Sequence, residues 1–284
     1  MLTYEEVVRE LHAYGDPWQA QPDPFANISR TRLRRRLGYR RAPGELTREE
    51  AEERARSQRH DRTPTTRYPM RRDLRDVGGR NFVTPVHDQG ECAACVAFGS
   101  LATLEATIQY QRHDPALDLD FSEAHLFHCT PGCLKCAFGW QIPLAIERLT
   151  KDGVLDDARL HYEPRGGCRN LPPDWATHVT KIQGWEKLTD LADMKSWLAD
   201  RGALIATMTV YEDFHRYYKS GPYRHVAGTY SGDHCVCCIG FDDTPGAQYW
   251  ICKNSWGTKW GTGGFFTIAY GERGIGSEMW GLVP

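Results

Sequence analysis

The chain has 284 residues, of which 40% are apolar and 25% are charged, and its formal net charge is −2 at neutral pH. It is long enough to bury one large core or two lobes, and its charge content is ordinary for a soluble enzyme. No run of about 18 apolar residues is present, which excludes a transmembrane helix, so a membrane partner is not expected.

The N-terminus reads MLTYEE and lacks the apolar core of a signal peptide. From this sequence alone, a cytoplasmic protein is therefore expected. A secreted or vesicular protein is the alternative, if an export signal has been removed.

The charges are divided unevenly along the chain. Residues 1–80 carry 18 Arg and 13 acidic residues, a net charge of +5, while the remainder carries 17 basic and 24 acidic residues, a net charge of −7. The basic run at residues 30–36 has no interleaved aromatic residues, so a nucleic-acid partner is not expected. We expect instead that the first part of the chain binds the second by charge attraction, and that acid weakens this binding by protonating carboxylates.

The first predicted helix covers residues 2–14. Thr47 and Glu50 form a capping-box pattern, which predicts a second helix that ends near Gln58. Charged residues dominate this second helix.

A linker is predicted at residues 59–69, because Thr63-Pro64-Thr65-Thr66 favours an exposed, extended chain. Any proteolytic cleavage is expected there. The chain is thus divided into an N-terminal region with its linker, residues 1–66, and a second domain, residues 67–284.

The apolar stretch from Cys95 to Gln111 predicts a long helix that begins at a cysteine. Unsatisfied N–H groups give a helix N-terminus partial positive charge, which lowers the pKa of a thiol placed there. The thiolate is the form that attacks a carbonyl carbon, so Cys95 is a candidate nucleophile.

Further helices are predicted at residues 141–151 and 191–201. From Ala203 onward, β-branched and aromatic residues alternate between glycines, which predicts an antiparallel sheet. No internal repeat or low-complexity tract is present.

A thiolate nucleophile needs an imidazole partner and a group that orients the imidazole. His234 leads a predicted buried strand 139 residues after Cys95, and Asn254 ends the next predicted strand 159 residues after Cys95. This order of Cys, His and Asn at these separations is the known pattern of papain-like peptidases.

The chain resembles the papain family of cysteine peptidases over about residues 74–284, and within that family it resembles cathepsins B and C. Four blocks carry the resemblance: Thr84-Pro85-Val86 leading into Gln89-Gly90 and Cys92-Ala93-Ala94-Cys95; Asp233-His234; Lys253-Asn254-Ser255-Trp256-Gly257 with Trp260-Gly261; and Gly281-Leu282-Val283-Pro284. The resemblance implies an α+β, two-lobed, papain-like fold, in which a helical lobe and an antiparallel β-barrel-like lobe flank the active-site cleft. It also implies a monomeric enzyme that acts on peptide or protein substrates without a cofactor.

The resemblance extends upstream, where Pro17-Trp18-Gln19-Ala20, Ser29 and Leu37-Gly38 are similar to the short inhibitory prosegment of cathepsin B. It implies that residues 1–66 are an intramolecular inhibitor and that the protein is made as a zymogen. The alternative is an amphipathic helix followed by a Pro-rich loop without that role.

The resemblance implies four catalytic residues. His234 accepts the proton of Cys95 and later delivers it to the leaving amine, and Asn254 holds the imidazole by a hydrogen bond. The side-chain N–H of Gln89 and the backbone N–H of Cys95 stabilise the oxyanion. The alternatives are that Cys95 is a buried core residue without a catalytic role, and that His234 is a core histidine whose hydrogen bonds are satisfied.

Five more residues are implied to bind substrate or to shape its site. Trp256 shields the bond between His234 and Asn254, or else simply packs in the core. Gly139 offers backbone hydrogen bonds to an extended substrate, with Trp140 beside it as a pocket wall. Asp233 is a further substrate-binding residue, and Glu278 favours a basic residue two positions before the scissile bond. A solvated surface role is the alternative for Glu278.

Three residues depart from the family pattern: Ala93 and Val96 beside the nucleophile, and Phe138, which replaces a glycine and predicts a narrowed cleft. No insertion matches the occluding loop of cathepsin B or the exclusion domain of cathepsin C, so endopeptidase action is expected. The same acyl-thioester chemistry also serves a ligase, cyclase or amidase. An inactive binding module is a third alternative.

Ten cysteines are present. The resemblance implies disulfides between Cys92 and Cys136 and between Cys129 and Cys168, and no metal is then expected. A zinc site is the alternative, held by Cys129, Cys133, Cys136 and Cys168. Four more cysteines lie in apolar strands and are expected to be buried small hydrophobes: Cys235, Cys237, Cys238 and Cys252.

Overall fold

A computed structural model describes residues 2–58, 68–129, 136–164 and 166–284. Its helices are α1 (Tyr4–Ala13), α2 (Arg30–Arg34), α3 (Arg48–Gln58), α4 (Cys95–Gln111), α5 (Ile142–Lys151), α6 (Leu191–Asp200) and α7 (Glu212–Tyr217), with a π-helical turn at Ala124–His128. Its strands are β1 (Gln19–Ala20), β2 (Arg71–Asp73), β3 (Gly184–Leu188), β4 (Leu204–Tyr211), β5 (Tyr218–Ser220), β6 (Pro222–Tyr223), β7 (Tyr230–Asp242), β8 (Tyr249–Lys253), β9 (Phe265–Ala269) and β10 (Met279–Val283).

The main sheet has eight strands in the order β3-β10-β4-β7-β8-β9-β6, with β2 paired to β7 off this path. All its pairs are antiparallel except β6 with β9. A separate two-stranded sheet joins β1 to β5, so the N-terminal segment (residues 2–58) is hydrogen-bonded to the main domain (residues 68–284).

Helix α4 is buried along almost its whole length, because apolar and small residues occupy nearly every position. It packs on β7 and α5, and its core includes Cys235 and Trp280 from the sheet. A second core lies on the sheet side and takes in Trp18 and Leu33 of the N-terminal segment. The two cores correspond to the helical and β lobes that the sequence predicts.

The predicted helices are confirmed, and α4 has the bounds that the sequence gives it. Glu50 donates its backbone N–H to Thr47 Oγ1 and accepts from Thr47 N, so the capping box forms. The antiparallel sheet is also confirmed, although β2 and β3 precede the predicted start and β6 pairs in parallel with β9. The predicted linker, and with it the boundary between residues 66 and 67, lies almost wholly outside the described residues.

Within the described ranges, no helix has both the length and the apolar character needed to cross a membrane.

Candidate active site

The thiol of Cys95 stands at the first residue of α4, and Ala94 at the N-cap position provides no side-chain cap. The thiol is completely buried. It accepts a hydrogen bond from the backbone N–H of Gly38 in the N-terminal segment, with 3.3 Å between N and Sγ. The start of this helix is therefore covered by the chain's own N-terminal part.

His234 and Asn254 are brought together by the pairing of β7 with β8. His234 Nε2 lies 2.8 Å from Asn254 Oδ1, which also accepts the backbone N–H of Ser255 at 2.8 Å. The second ring nitrogen of His234, Nδ1, is buried and has no hydrogen-bond partner among the described residues. Asn254 thus fixes the ring and leaves Nδ1 able to carry a proton.

His234 and Cys95 lie on either side of the same stretch of the N-terminal segment. Gly38 donates its N–H to Cys95, and the next residue, Tyr39, donates its N–H to the carbonyl oxygen of Asp233 at 3.2 Å. The backbone N–H of Cys235, directly after His234, lies near enough to the Cys95 thiol to lower its pKa. Consecutive residues of the N-terminal segment therefore contact the nucleophile candidate and the residue directly before the imidazole.

The ring of Trp256 stacks on His234, with 4.7 Å between ring centroids and 29° between ring planes. Trp256 is itself buried and also contacts His215, a fully buried histidine on α7, at 4.9 Å. Burial lowers the pKa of His215 well below its usual value. These rings keep water away from the bond between His234 and Asn254.

The amide of Gln89 is oriented by Ser255, whose Oγ donates to Gln89 Oε1 at 2.6 Å. This bond turns Nε2 toward the cleft, where it donates to the carbonyl oxygen of Arg36 at 3.1 Å and to that of Cys92 at 2.6 Å. Sequence reasoning did not assign a role to Ser255, although its place between Asn254 and Trp256 in the conspicuous block was a signal. The donor predicted for an oxyanion is thus occupied by a carbonyl of the N-terminal segment.

The segment also pairs with the other wall of the cleft. Trp140 N donates to Gly38 O at 2.8 Å, and Arg40 N donates to Trp140 O at 2.9 Å. A Cβ atom on Gly38 would lie 2.1 Å from the carbonyl oxygen of Ala93. Only glycine fits at this point, so the cleft and the segment are matched at residue 38.

Residues 68–281 match the sequence profile of the family described as "Papain family cysteine protease". The match covers most of the chain, including the elements that hold Cys95, His234 and Asn254. The chain belongs to the papain family.

Two relatives illustrate the sequence similarity. "Cathepsin B-like CP3" of Giardia intestinalis is 34% identical over 196 residues, which are 66% of this chain and 64% of the relative. "Gut-specific cysteine proteinase" of Caenorhabditis elegans is 42% identical over 221 residues, which are 68% of this chain and 66% of the relative. The papain-family chain thus spans slightly less than two thirds of the length of these curated relatives.

Two solved structures illustrate the similarity of fold. "proCathepsin B S9 from Trypanosoma congolense" aligns with a TM-score of 0.78 at 24% identity and covers 100% of this chain and 98% of that chain. Bromelain from Ananas comosus aligns with a TM-score of 0.62 at 27% identity and covers 76% of this chain and 99% of that chain. The two-lobed papain fold is therefore shared, and the first likeness extends through the N-terminal segment.

The sequence predicts a lowered pKa for the Cys95 thiol, but in this covered papain-family chain the pKa is raised to about 11. Backbone N–H groups, including those of Val96 and Gly38, lower it, yet burial of the thiol away from water outweighs them. Burial and the charge of Arg36 lower the pKa of His234 to about 4. Both groups are therefore neutral near pH 7 while the segment is in place.

Gly139 and Trp140 line the covered cleft, but the backbone hydrogen bonds come from Trp140. Gly139 supplies space, since a Cβ there would lie 2.2 Å from Gly38 O. The ring of Phe138 is 54% exposed. A narrowing of the cleft by that ring stays a prediction.

Glu278 is buried, and its carboxylate lies 2.7 Å from Lys187 Nζ and 3.6 Å from a guanidinium nitrogen of Arg54 in α3. It is thus an ion-paired residue in this structure. Its preference for a basic substrate residue stays a prediction.

The structure contains disulfides between Cys92 and Cys136 and between Cys129 and Cys168. Three of the four thiols of the alternative zinc site are therefore oxidised, and the fourth, Cys133, lies outside the described residues. The donor atoms of Cys92, His128 and Cys136 lie within 4.8 Å of one another, but two of these are disulfide sulfurs and offer no thiolate. The four cysteines expected to be buried are buried: Cys235, Cys237, Cys238 and Cys252.

Proposed function

We propose that the protein is a monomeric cysteine endopeptidase, made as a zymogen, in which Cys95, His234, Asn254 and Gln89 hydrolyse peptide bonds of peptide or protein substrates. The observation that carries this proposal is the backbone of Gly38 seated on the Cys95 thiol, with the carbonyl of Arg36 on Gln89 Nε2. A peptide backbone already occupies the place where a substrate backbone would react. The test is whether peptide hydrolysis occurs and requires Cys95.

In the proposed reaction His234 takes the proton of Cys95, and the thiolate attacks the scissile carbonyl carbon. The oxygen becomes negatively charged and is held by Gln89 Nε2 and the backbone N–H of Cys95. His234 then gives its proton to the departing amine, which leaves an acyl thioester on Cys95. Water, deprotonated by His234, hydrolyses this thioester and restores the thiol.

The N-terminal segment is proposed to inhibit by covering this machinery. Among the residues that the structure describes, seven ion pairs join it to the main domain, in agreement with the charge attraction that the sequence predicts: Arg30–Glu212, Arg32–Glu91, Arg36–Asp88, Arg41–Asp233, Arg54–Glu278, Asp23–Arg216 and Glu52–Arg273. Trp18 anchors the segment further, since its Nε1 donates to the carbonyl oxygen of Arg224 at 2.7 Å. The two disulfides favour a secreted or vesicular location, where such bonds persist.

Replacing Gln89 by Ala is expected to lower kcat by about 10²- to 10³-fold, because one oxyanion donor is removed. KM should change far less, since the donor acts mainly on the charged intermediate. Steady-state kinetics on acid-treated enzyme measures both constants. Gln183→Ala, at an exposed glutamine, is the matched control, and an unchanged kcat in Gln89→Ala would remove Gln89 from the mechanism.

Acidification from pH 7 to pH 4 is expected to release the segment. The pKa of His234 in the covered chain is about 4 against an ordinary 6.5, so the covered state is stabilised above pH 6.5 and loses that stability as the pH falls toward 4. The loss is on the order of 3 kcal/mol. Hydrogen exchange at residues 30–41 measures the release, in a Cys95→Ala chain that cannot cleave itself.

Faster exchange of these amides at pH 4.5 than at pH 7.5, after correction for the intrinsic exchange rate, is the expected result. The same measurement with His234→Gln added should show a smaller difference, because that side chain does not titrate in this range. Equal protection at both pH values would contradict the role of acid.

A further inference from the structure

Two carboxylates flank the covered cleft and are neutralised by arginines of the N-terminal segment. Asp88 Oδ1 lies 2.8 Å from Arg36 NH1, and Asp233 Oδ2 is paired with Arg41 NH1. Asp88 directly precedes Gln89, and Asp233 directly precedes His234. Both carboxylates are therefore fixed next to residues of the proposed reaction.

The two arginines stand on either side of Gly38 along the segment, and Gly38 is the residue seated on the Cys95 thiol. Arg36 is two residues before Gly38, with its carbonyl on Gln89 Nε2, and Arg41 is three residues after Gly38, beyond the hydrogen bonds to Trp140. A peptide that crosses Cys95 along the same cleft passes both carboxylates. The segment thus meets Asp88 through a residue before Gly38 and Asp233 through a residue after it.

The two carboxylates differ in exposure in the covered chain. With the segment in place, the side chain of Asp233 is only 13% exposed, and its Oδ1 atom is buried without a hydrogen-bond partner among the described residues. When the segment leaves, Asp233 loses its cation and is destabilised to the extent that water does not replace that cation, so binding of another cation there is favoured. The side chain of Asp88 is 49% exposed, so water solvates its carboxylate and offsets more of the lost ion pair with Arg36.

No cation of the main domain replaces either arginine in the described ranges, where Arg36 and Arg41 are the ion-pair partners found for Asp88 and Asp233. Glu278 differs, because Lys187 remains beside it when Arg54 departs. After release of the segment, Asp88 and Asp233 are therefore left without an ion-pair partner among the described residues, whereas Glu278 keeps Lys187.

We propose that Asp88 and Asp233 are specificity-determining residues that bind basic side chains on the two sides of the scissile bond, so that the substrates are cationic peptides or basic segments of proteins. This inference rests on the proposed peptidase function. The arginines of the segment occupy, in the covered chain, the two places that substrate cations take after its release.

The experiment uses the full-length chain carrying Gly38→Val, in which the added side chain cannot fit against Ala93 O, so that the segment is expected to leave the cleft. Quenched-fluorescence peptides of alanine carry one Arg at each position in turn across the cleavage point. We expect Arg to raise kcat/KM about 10- to 100-fold at one position through Asp233, and about three- to fivefold at a position on the other side through Asp88.

Asp233→Asn is expected to bring the ratio of kcat/KM for Arg and Ala peptides close to one at the first position. Asp88→Asn is expected to do the same at the second position. Asp118→Asn, which changes an exposed carboxylate, should preserve both ratios. The Asp88→Lys enzyme should cleave peptides with Glu at the affected position at a higher kcat/KM than peptides with Arg. A general loss of structure cannot produce this reversal. Wild-type chain activated at pH 4.5 serves as a second background if the Gly38→Val chain folds poorly.

Efficient hydrolysis without any preference for Arg, or with preferences that survive in both Asn variants, would overturn the inference while leaving the peptidase function standing. Failure of every peptide to be cleaved in both backgrounds would overturn the peptidase function and the inference with it.

Discussion

Replacing Cys95 by Ala is expected to abolish peptide hydrolysis, with a loss of at least about 10⁴-fold in kcat/KM. The methyl group cannot form the acyl thioester, and water held in the cleft is a far weaker nucleophile than the thiolate. Fluorogenic peptide turnover after acid treatment measures the loss. The fold should be preserved, because the sulfur is small and α4 is packed along its whole length.

Cys238→Ala is the matched control for this change. Cys238 is also a fully buried free thiol, but it lies in β7 on the sheet side of the molecule, away from Gly38. Its replacement should reduce stability slightly and keep turnover close to wild type. Retained turnover in Cys95→Ala, or an equal loss in both variants, would show that Cys95 is not the nucleophile.

Replacing Gly38 by Val is expected to switch the full-length chain on without any cleavage. A Cβ at this position lies 2.1 Å from the carbonyl oxygen of Ala93, so the segment cannot keep its backbone on the Cys95 thiol. Water then reaches Cys95, and its pKa falls from about 11 as the burial that raises it is removed. Turnover of the uncleaved chain at pH 7 should rise by at least about tenfold.

Gly184→Val introduces the same side chain on strand β3, where a Cβ meets no atom within 4 Å. This control should leave the chain as inactive at pH 7 as wild type. The rate at which iodoacetamide alkylates Cys95, followed by peptide mapping, gives a second readout of the opened cleft. If turnover and alkylation in Gly38→Val both match wild type, the segment does not control access to the thiol.

Much of this architecture is predictable from local sequence. The start of α4 at Cys95 follows from an uninterrupted apolar, helix-forming run, and the capping box at Thr47 is encoded within four residues. The neighbourhood of His234 and Asn254 follows from two consecutive predicted strands that pair in a hairpin. These are short-range features, which propensity and spacing describe well.

The remaining features depend on contacts between distant parts of the chain. The hydrogen bond from Ser255 to Gln89 joins residues 166 positions apart, and no local pattern encodes it. The raised pKa of Cys95 arises from burial by a segment almost 60 residues upstream, which outweighs the helix-terminus effect that the sequence predicts. Pairing of β6 with β9 in parallel likewise depends on tertiary packing.

The most direct measurement of the central claim is a time course of wild-type and Cys95→Ala chains at pH 4.5, in which intact mass and turnover of a fluorogenic peptide are followed together. The account predicts that wild type loses about 60 to 70 N-terminal residues as turnover rises, while Cys95→Ala stays intact and inactive. Full turnover by intact wild type from the first time point, or equal processing of both chains, would contradict it.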